Sequence, residues 1–177
     1  MCPPRSLGTI VLAVGDDGPI DHYMGDVGRT LPVSGTFAAA QREVIDLLVA
    51  AYRAGLSVLR AGTTADAVLQ ASIAELGRRR ASLHTPLAKE AAAIITRRDG
   101  IPHWQLHGVG LNVGETLPDT LRAGMVLDYE PIFVVSGQGF YMEDMILITQ
   151  RGFEILTTGL PYTAAEIESA MRRPPRR

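Results

Sequence analysis

Four side chains able to ligate a cation sit in segments that read as strands: Asp26 in "HYMGDVGRTLPV", His107 in "QLHGVGLNV", Glu130 in "MVLDYEPIFVV" and Glu143 in "FYMEDMILIT". A carboxylate inside an apolar strand is costly unless it is paired, hydrogen-bonded or bound to a metal. One shared cation would satisfy all four. Taken singly, each has a plainer reading, since an acidic residue on a strand usually faces solvent and a lone histidine is more often structural than a ligand. The four in order, with Gly-x-Gly after His107 and Pro131 after Glu130, point instead to a common site. His103 lies four residues before His107, so the stretch "HWQLHGVGLNVGE" holds two of the chain's 4 histidines. A mostly oxygen donor set with one imidazole suits manganese, cobalt, iron or zinc rather than a metal selected by thiolate.

The elements that must position these groups are legible from periodicity. "TIVLAV" is a short β-branched run ended by the turn chemistry of "GDDGP", so a hairpin is expected, returning through residues 22–33. Alternation along that return strand would put Asp26 on one face with Met24 and Gly28. "SGTF" closes the hairpin and is expected to cap a helix over residues 38–59, with Val44, Leu47, Leu48, Ala51 and Tyr52 on its apolar face and Gly55 weakening its end. A second helix follows, capped by Thr64, with Asp66 in its first turn, Leu69, Ile73 and Leu76 on one face, and three arginines at its end. A third has Pro86 near N1 and Gly100 beyond its end. After Gly100 the period turns β-like: four strands are expected in "QLHGVGLNV", "MVLDYEPIFVV", "FYMEDMILIT" and "FEILT", then a last helix in "LPYTAAEIESAM". Hairpin, helices and an antiparallel run make an α+β fold.

The chain's 177 residues, 46% of them hydrophobic, suffice for one substantial core, and residues 1–177 are read as one domain with a basic tail, 173–177, expected to be disordered. A net charge of -2 gives no overall attraction to nucleic acid or to an anionic membrane, so neither is expected as a partner. No apolar run reaches the length of a membrane span. The opening "MCPPRSLGTIVLAVG" has one arginine and two early prolines, which fit a buried strand better than a signal peptide. Cys2, the single cysteine, cannot form an internal disulfide, which fits a reducing compartment, and the expected location is cytoplasmic.

Beyond these separate features, "YMGDVGRTLPVSGTF", "LHGVGL", "GMVLDYEP" and "GFYMEDMILIT" together resemble the motif series of the pita-bread metallopeptidases, in the aminopeptidase P and prolidase branch. The resemblance runs over residues 10–162. It implies the C-terminal part of a pita-bread fold, an antiparallel sheet with helices packed on one face. It also implies hydrolysis of the bond before proline at a peptide's N-terminus, by a water bridging two divalent metal ions, of which manganese is the first choice. Under the resemblance Asp26, His107, Glu130 and Glu143 are metal ligands. Glu130 also takes a proton from the water, and His103 lies near the substrate, where it orients it or moves a proton. The expected partner is a peptide with proline at its second position.

The pattern is departed from in three places. The family's other aspartate ligand falls eleven residues before Asp26, at Gly15; a turn one residue shorter would let Asp16 serve instead. A histidine common seven residues after the ligand is here Gly114, and the residue preceding the final glutamate, often arginine, is Met142. The chain also opens where the family's catalytic domain is already under way, which would leave apolar surface uncovered; a homodimer is one way to cover it, and a truncated gene is the other explanation. These departures keep a second reading open: a catalytically impaired module of the same fold that binds peptide or protein partners. A creatinase-like hydrolase is a third, against which Glu130 and Glu143 argue.

Overall fold

A computed structural model describes residues 9–13, 23–97 and 104–172. The order is β1 (Thr9–Ala13), β2 (Gly28–Pro32), α1 (Ala39–Val58), α2 (Ala65–Arg79), α3 (Pro86–Ile95), β3 (Trp104–Val109), β4 (Val113–Glu115), β5 (Val126–Val135), β6 (Gln138–Ile148), β7 (Phe153–Ile155) and α4 (Ala164–Met171), with a 3-10 turn, Arg80–Ser82, between α2 and α3. The strands form one sheet in the order β1-β2-β6-β5-β3-β4, with β7 also paired to β6. Every pairing is antiparallel. The α+β class and the antiparallel sheet expected from the sequence are thus present.

The helical layer covers one face of the sheet. From α1, Val44, Leu48, Ala51 and Tyr52 are fully buried, and they pack with Leu127, Tyr129 and Phe133 of β5 and Phe140, Met142 and Ile146 of β6 in one core. Tyr52 stacks on Tyr129 with ring centroids 4.9 Å apart, and Trp104 stacks on Tyr129 at 6.0 Å. Burying side chains of this size stabilises the layer by about 1.5–3 kcal/mol each.

The local chemistry departs from expectation in four instructive ways. Gly55 does not weaken α1: a Cβ there would lie 2.5 Å from Ser72 Oγ and 2.6 Å from the Tyr129 hydroxyl, so the glycine is what lets α1 approach α2 and β5 so closely. No serine or threonine of "SGTF" caps α1; the N-cap is Ala38, whose N–H donates to Gln41 Oε1 at 2.9 Å. The buried stripe of α2 is Val68, Ser72 and Leu76, leaving Leu69 and Ile73 half-buried beside it, because Ser72 is drawn inward to share a 2.5 Å hydrogen bond with Tyr129. Thr64 caps α2 through its side chain as expected, and Thr85, which the sequence reading did not single out, caps α3 in the same way. Finally, the return strand of the hairpin is shorter than residues 22–33. Regular pairing runs from Ala13↔Gly28 to Thr9↔Pro32, and Asp26 precedes it. Among the described residues no helix is long and apolar enough to cross a membrane.

Candidate metal centre

The face of the sheet away from the helices carries the acidic groups, and the strand registers show why. In an antiparallel pair, residues directly opposite share a face. His107 of β3 is opposite Asp128 of β5, Asp128 is opposite Met145 of β6, and Gly28 of β2 is opposite Glu143 of β6. Alternation along β5 then sets Asp128 and Glu130 on the open face and Leu127 and Tyr129 in the core. Along β6 it sends Tyr141 and Glu143 to the open face and Met142 and Asp144 to the helical one.

Asp26 approaches from the segment just before β2. Its backbone N–H contacts Met145 Sδ at 3.4 Å, and the neighbouring Met24 N–H donates to the Gly110 carbonyl at 2.8 Å, tying this segment to the end of β3. One ligand atom from each of Asp26, His107, Asp128 and Glu143 lies within 4.8 Å of the other three. Glu130 is outside that foursome but touches it, with Oε1 3.3 Å from His107 Nε2. The other ring nitrogen of His107, Nδ1, lies 3.2 Å from the Gly108 carbonyl. Donation from Nδ1 would leave Nε2 free to ligate.

The electrostatics favour a cation. Asp128 and Glu143 are both 0% exposed, and both Asp128 oxygens and Glu143 Oε1 have no hydrogen-bond partner among the described residues. The other Glu143 oxygen accepts from the Tyr141 hydroxyl. Burial, helped by Asp26, Glu130 and Asp144, pushes the Asp128 carboxyl up to about 8. Burial also raises Glu143 to about 9; Tyr141 opposes this shift, while the acidic neighbours Asp128, Glu130 and Asp26 add to it. His107 rises to about 9, chiefly through its contact with Glu130. Carboxylates crowded this way hold protons unless a cation replaces them. Partnerless buried oxygens, one imidazole and no thiolate together fit a divalent metal.

The sequence-expected residues divide as follows. Asp26, His107 and Glu143 converge, and Glu130 adjoins them. Asp16 and His103 lie outside the described residues. Asp128 was missed, although its parity with Glu130 along β5 was a usable signal. Met142 has no bearing on the open face, because alternation buries it in the core; the residue that touches Glu143 is two positions back, Tyr141. Space for Tyr141 comes from Gly28, where a Cβ would fall 1.9 Å from the Tyr141 ring. Gly114, with φ +79, lines a cleft of about 550 Å³ together with His107, Glu115 and Thr116.

Arg29, quoted in the motif but given no role by the sequence, braces the other face. Its guanidinium donates to Asp144 Oδ1 at 2.8 Å and to the carbonyls of Gly28, Glu143 and Pro161 at 2.7, 2.5 and 2.8 Å, and it lies over the Tyr162 ring. Asp144 also accepts from Tyr52 and Thr157, at 2.8 and 2.7 Å.

Comparison with known proteins gives a consistent family. Residues 11–150 match Metallopeptidase family M24. The Xaa-Pro aminopeptidase of Escherichia coli (strain K12) is 31% identical over 169 residues, which cover 84% of this chain and 38% of that protein. Xaa-Pro aminopeptidase 1 of Streptomyces coelicolor is 30% identical over 199 residues, covering 96% and 38%. Among solved structures, a histidine-to-alanine variant of Escherichia coli aminopeptidase P matches with a TM-score of 0.74 at 27% identity, over 92% of this chain and 41% of that one. Proline aminopeptidase P II from Yersinia pestis gives the same values. The chain therefore spans about two fifths of the length of these relatives.

Proposed function

We propose, from the premise that this chain belongs to metallopeptidase family M24, that it hydrolyses the Xaa-Pro bond at the N-terminus of peptides with the help of two divalent metal ions. The observation that carries the reading is the convergence of Asp26, His107 and Glu143, with Glu130 alongside, on a buried point where the Glu143 carboxylate keeps an oxygen without a hydrogen-bond partner among the described residues. The names of the relatives supply the substrate class. Asp26, His107, Glu130 and Glu143 would hold the ions, manganese first, with cobalt, zinc and iron as alternatives. When bound, such ions lower the pKa of water and polarise a carbonyl.

The chain's own groups do the rest. Glu130, only 8% exposed, is placed beside the ligand histidine to take the proton of the attacking water. Tyr141 holds Glu143 by donating its hydroxyl hydrogen, which fixes one oxygen; the other has no hydrogen-bond partner among the described residues. His103 would orient the peptide or move a proton, and the cleft lined by His107 and Gly114 gives room for the chain of the substrate. A homodimer is one further part of the proposal, since the outer edges of β1 and β4 are unpaired among the described residues and could accept a second copy. The cytoplasm is the compartment that accompanies this reading.

The test is metal analysis after dialysis, followed by release of the N-terminal residue from an Xaa-Pro peptide with manganese added, alongside His107→Ala as a control. Binding and turnover that both vanish in the control support the proposal; absence of bound metal in the unaltered protein under either condition refutes it. The second reading, a binding module without turnover, is favoured by Gly15 and Gly114, which stand where a ligand aspartate and a histidine are expected. It predicts peptide binding that Glu130→Gln leaves unchanged and no released amino acid.

A further inference from the structure

We infer that Asp128 is itself a metal ligand, adding a carboxylate from the middle of the sheet to Asp26, His107 and Glu143. This rests on the metallopeptidase reading and sharpens it, since no motif singled out Asp128. Three independent observations place it. Its register is directly opposite His107. One of its oxygens falls within 4.8 Å of a donor atom on each of Asp26, His107 and Glu143. It is 0% exposed, and neither of its oxygens has a hydrogen-bond partner among the described residues.

A fully buried carboxylate without any donor is a rare and costly arrangement in a folded protein. Retaining it makes sense where a cation completes it. Neither a scaffolding role nor a basic one fits the geometry. Scaffolding by hydrogen bonds would need a partner, and there is none among the described residues. As a base it would be no better placed than Glu130, which already lies against His107. The nearest residue across the sheet on the other side is Met145, whose thioether cannot neutralise it. Asp128 brings in a carboxylate from outside the N-terminal motif, in whose sequence Gly15 stands at the position of an expected ligand. On this inference the oxygen-rich donor set is completed from β5, at a position one step of alternation away from Glu130.

The experiment compares the unaltered protein with Asp128→Asn, which keeps the shape and removes the charge, and with Asp128→Ser, which removes the bulk as well. Manganese and cobalt(II) are titrated by calorimetry, bound metal is counted after dialysis, and the visible spectrum of the cobalt(II) form is recorded. Circular dichroism establishes that each variant is folded. The expected result is affinity weakened by more than the roughly 10–100-fold that loss of a residue hydrogen-bonded to a ligand produces, or one ion fewer per chain, together with an altered cobalt spectrum in both variants. Identical stoichiometry, affinity and spectrum in either folded variant overturn the inference while leaving the metallopeptidase reading intact. If the unaltered protein binds neither metal, both fall together, and His107→Ala then shows no further change.

Discussion

Replacing Glu143 with glutamine should make the metal-free protein more stable at alkaline pH while abolishing its response to metal. Glu143 is fully buried and surrounded by Asp26, Asp128 and Glu130, and its carboxyl is raised from 4.5 to about 9. A group whose folded pKa lies above its unfolded value contributes stability that is complete below the unfolded value and is lost as pH rises through the folded one. For Glu143 the window is therefore about pH 4.5 to 9. At pH 8 the loss approaches about 5 kcal/mol, at 1.36 kcal/mol per pH unit across most of that window. At pH 5 it is below about 1 kcal/mol. Glutamine preserves the shape, can still accept from the Tyr141 hydroxyl, and never ionises. Melting temperatures should then differ little at pH 5 in a chelator, whereas at pH 8 the variant should melt roughly 10–20 °C higher, at about 2–4 °C per kcal/mol for a chain of this size. Added manganese should reverse the order at pH 8, because only the unaltered protein keeps all its ligands. Scanning calorimetry at the two pH values, with chelator and with manganese, reads all four cases. A variant destabilised equally at both pH values without metal would show that Glu143 is a structural acid and refute the reasoning.

Further consequences are simpler to measure. Without metal, the melting temperature of the unaltered protein should fall from pH 6 to pH 9, since Asp128 (about 8), Glu143 (about 9) and His107 (about 9) are all raised and each loses its contribution as pH climbs through its folded value; a flat profile in chelator would contradict this. Saturating manganese at 100 times its dissociation constant should add about 2.7 kcal/mol of stability per site, seen as a concentration-dependent rise in melting temperature. Gly28→Ala should displace the Tyr141 ring, whose edge would be 1.9 Å from the new Cβ, and weaken metal binding while the helical layer keeps its circular dichroism. Asp144→Asn should cost about 3–5 kcal/mol in denaturant unfolding, because it takes the paired negative charge from the buried Arg29 guanidinium.

Much of the scaffold was legible because its signals are periodic. The apolar steps of α1, the cap residue Thr64 and the Pro86 that opens α3 act locally, so the sequence contains their cause. What escaped depends on tertiary approach. Gly55 reads as a helix weakness until α2 and Tyr129 are seen pressed against it, and Ser72 reads as a polar surface residue until Tyr129 supplies its partner. At the site, His107, Glu130 and Glu143 stood out by motif, whereas Asp128 was hidden inside an apolar strand and revealed by register. Met142, where the family often has arginine, and Tyr141, which touches Glu143, show the same lesson at shorter range: adjacency in sequence is opposition in a strand. Asp26 reaches the group from outside the regular pairing of β2, where alternation no longer applies.

Glu143 and Asp144 are consecutive, yet they serve opposite surfaces of the sheet. Glu143 faces the donor cluster, while Asp144 is clamped from below by Arg29, Tyr52 and Thr157. The dipeptide acts as a rivet through the fabric, so a disturbance in the helical layer has a direct mechanical route to the cation-binding surface. Loosening Tyr52, with no ligand altered, would let the rivet rock, and the position of a donor oxygen would shift with it.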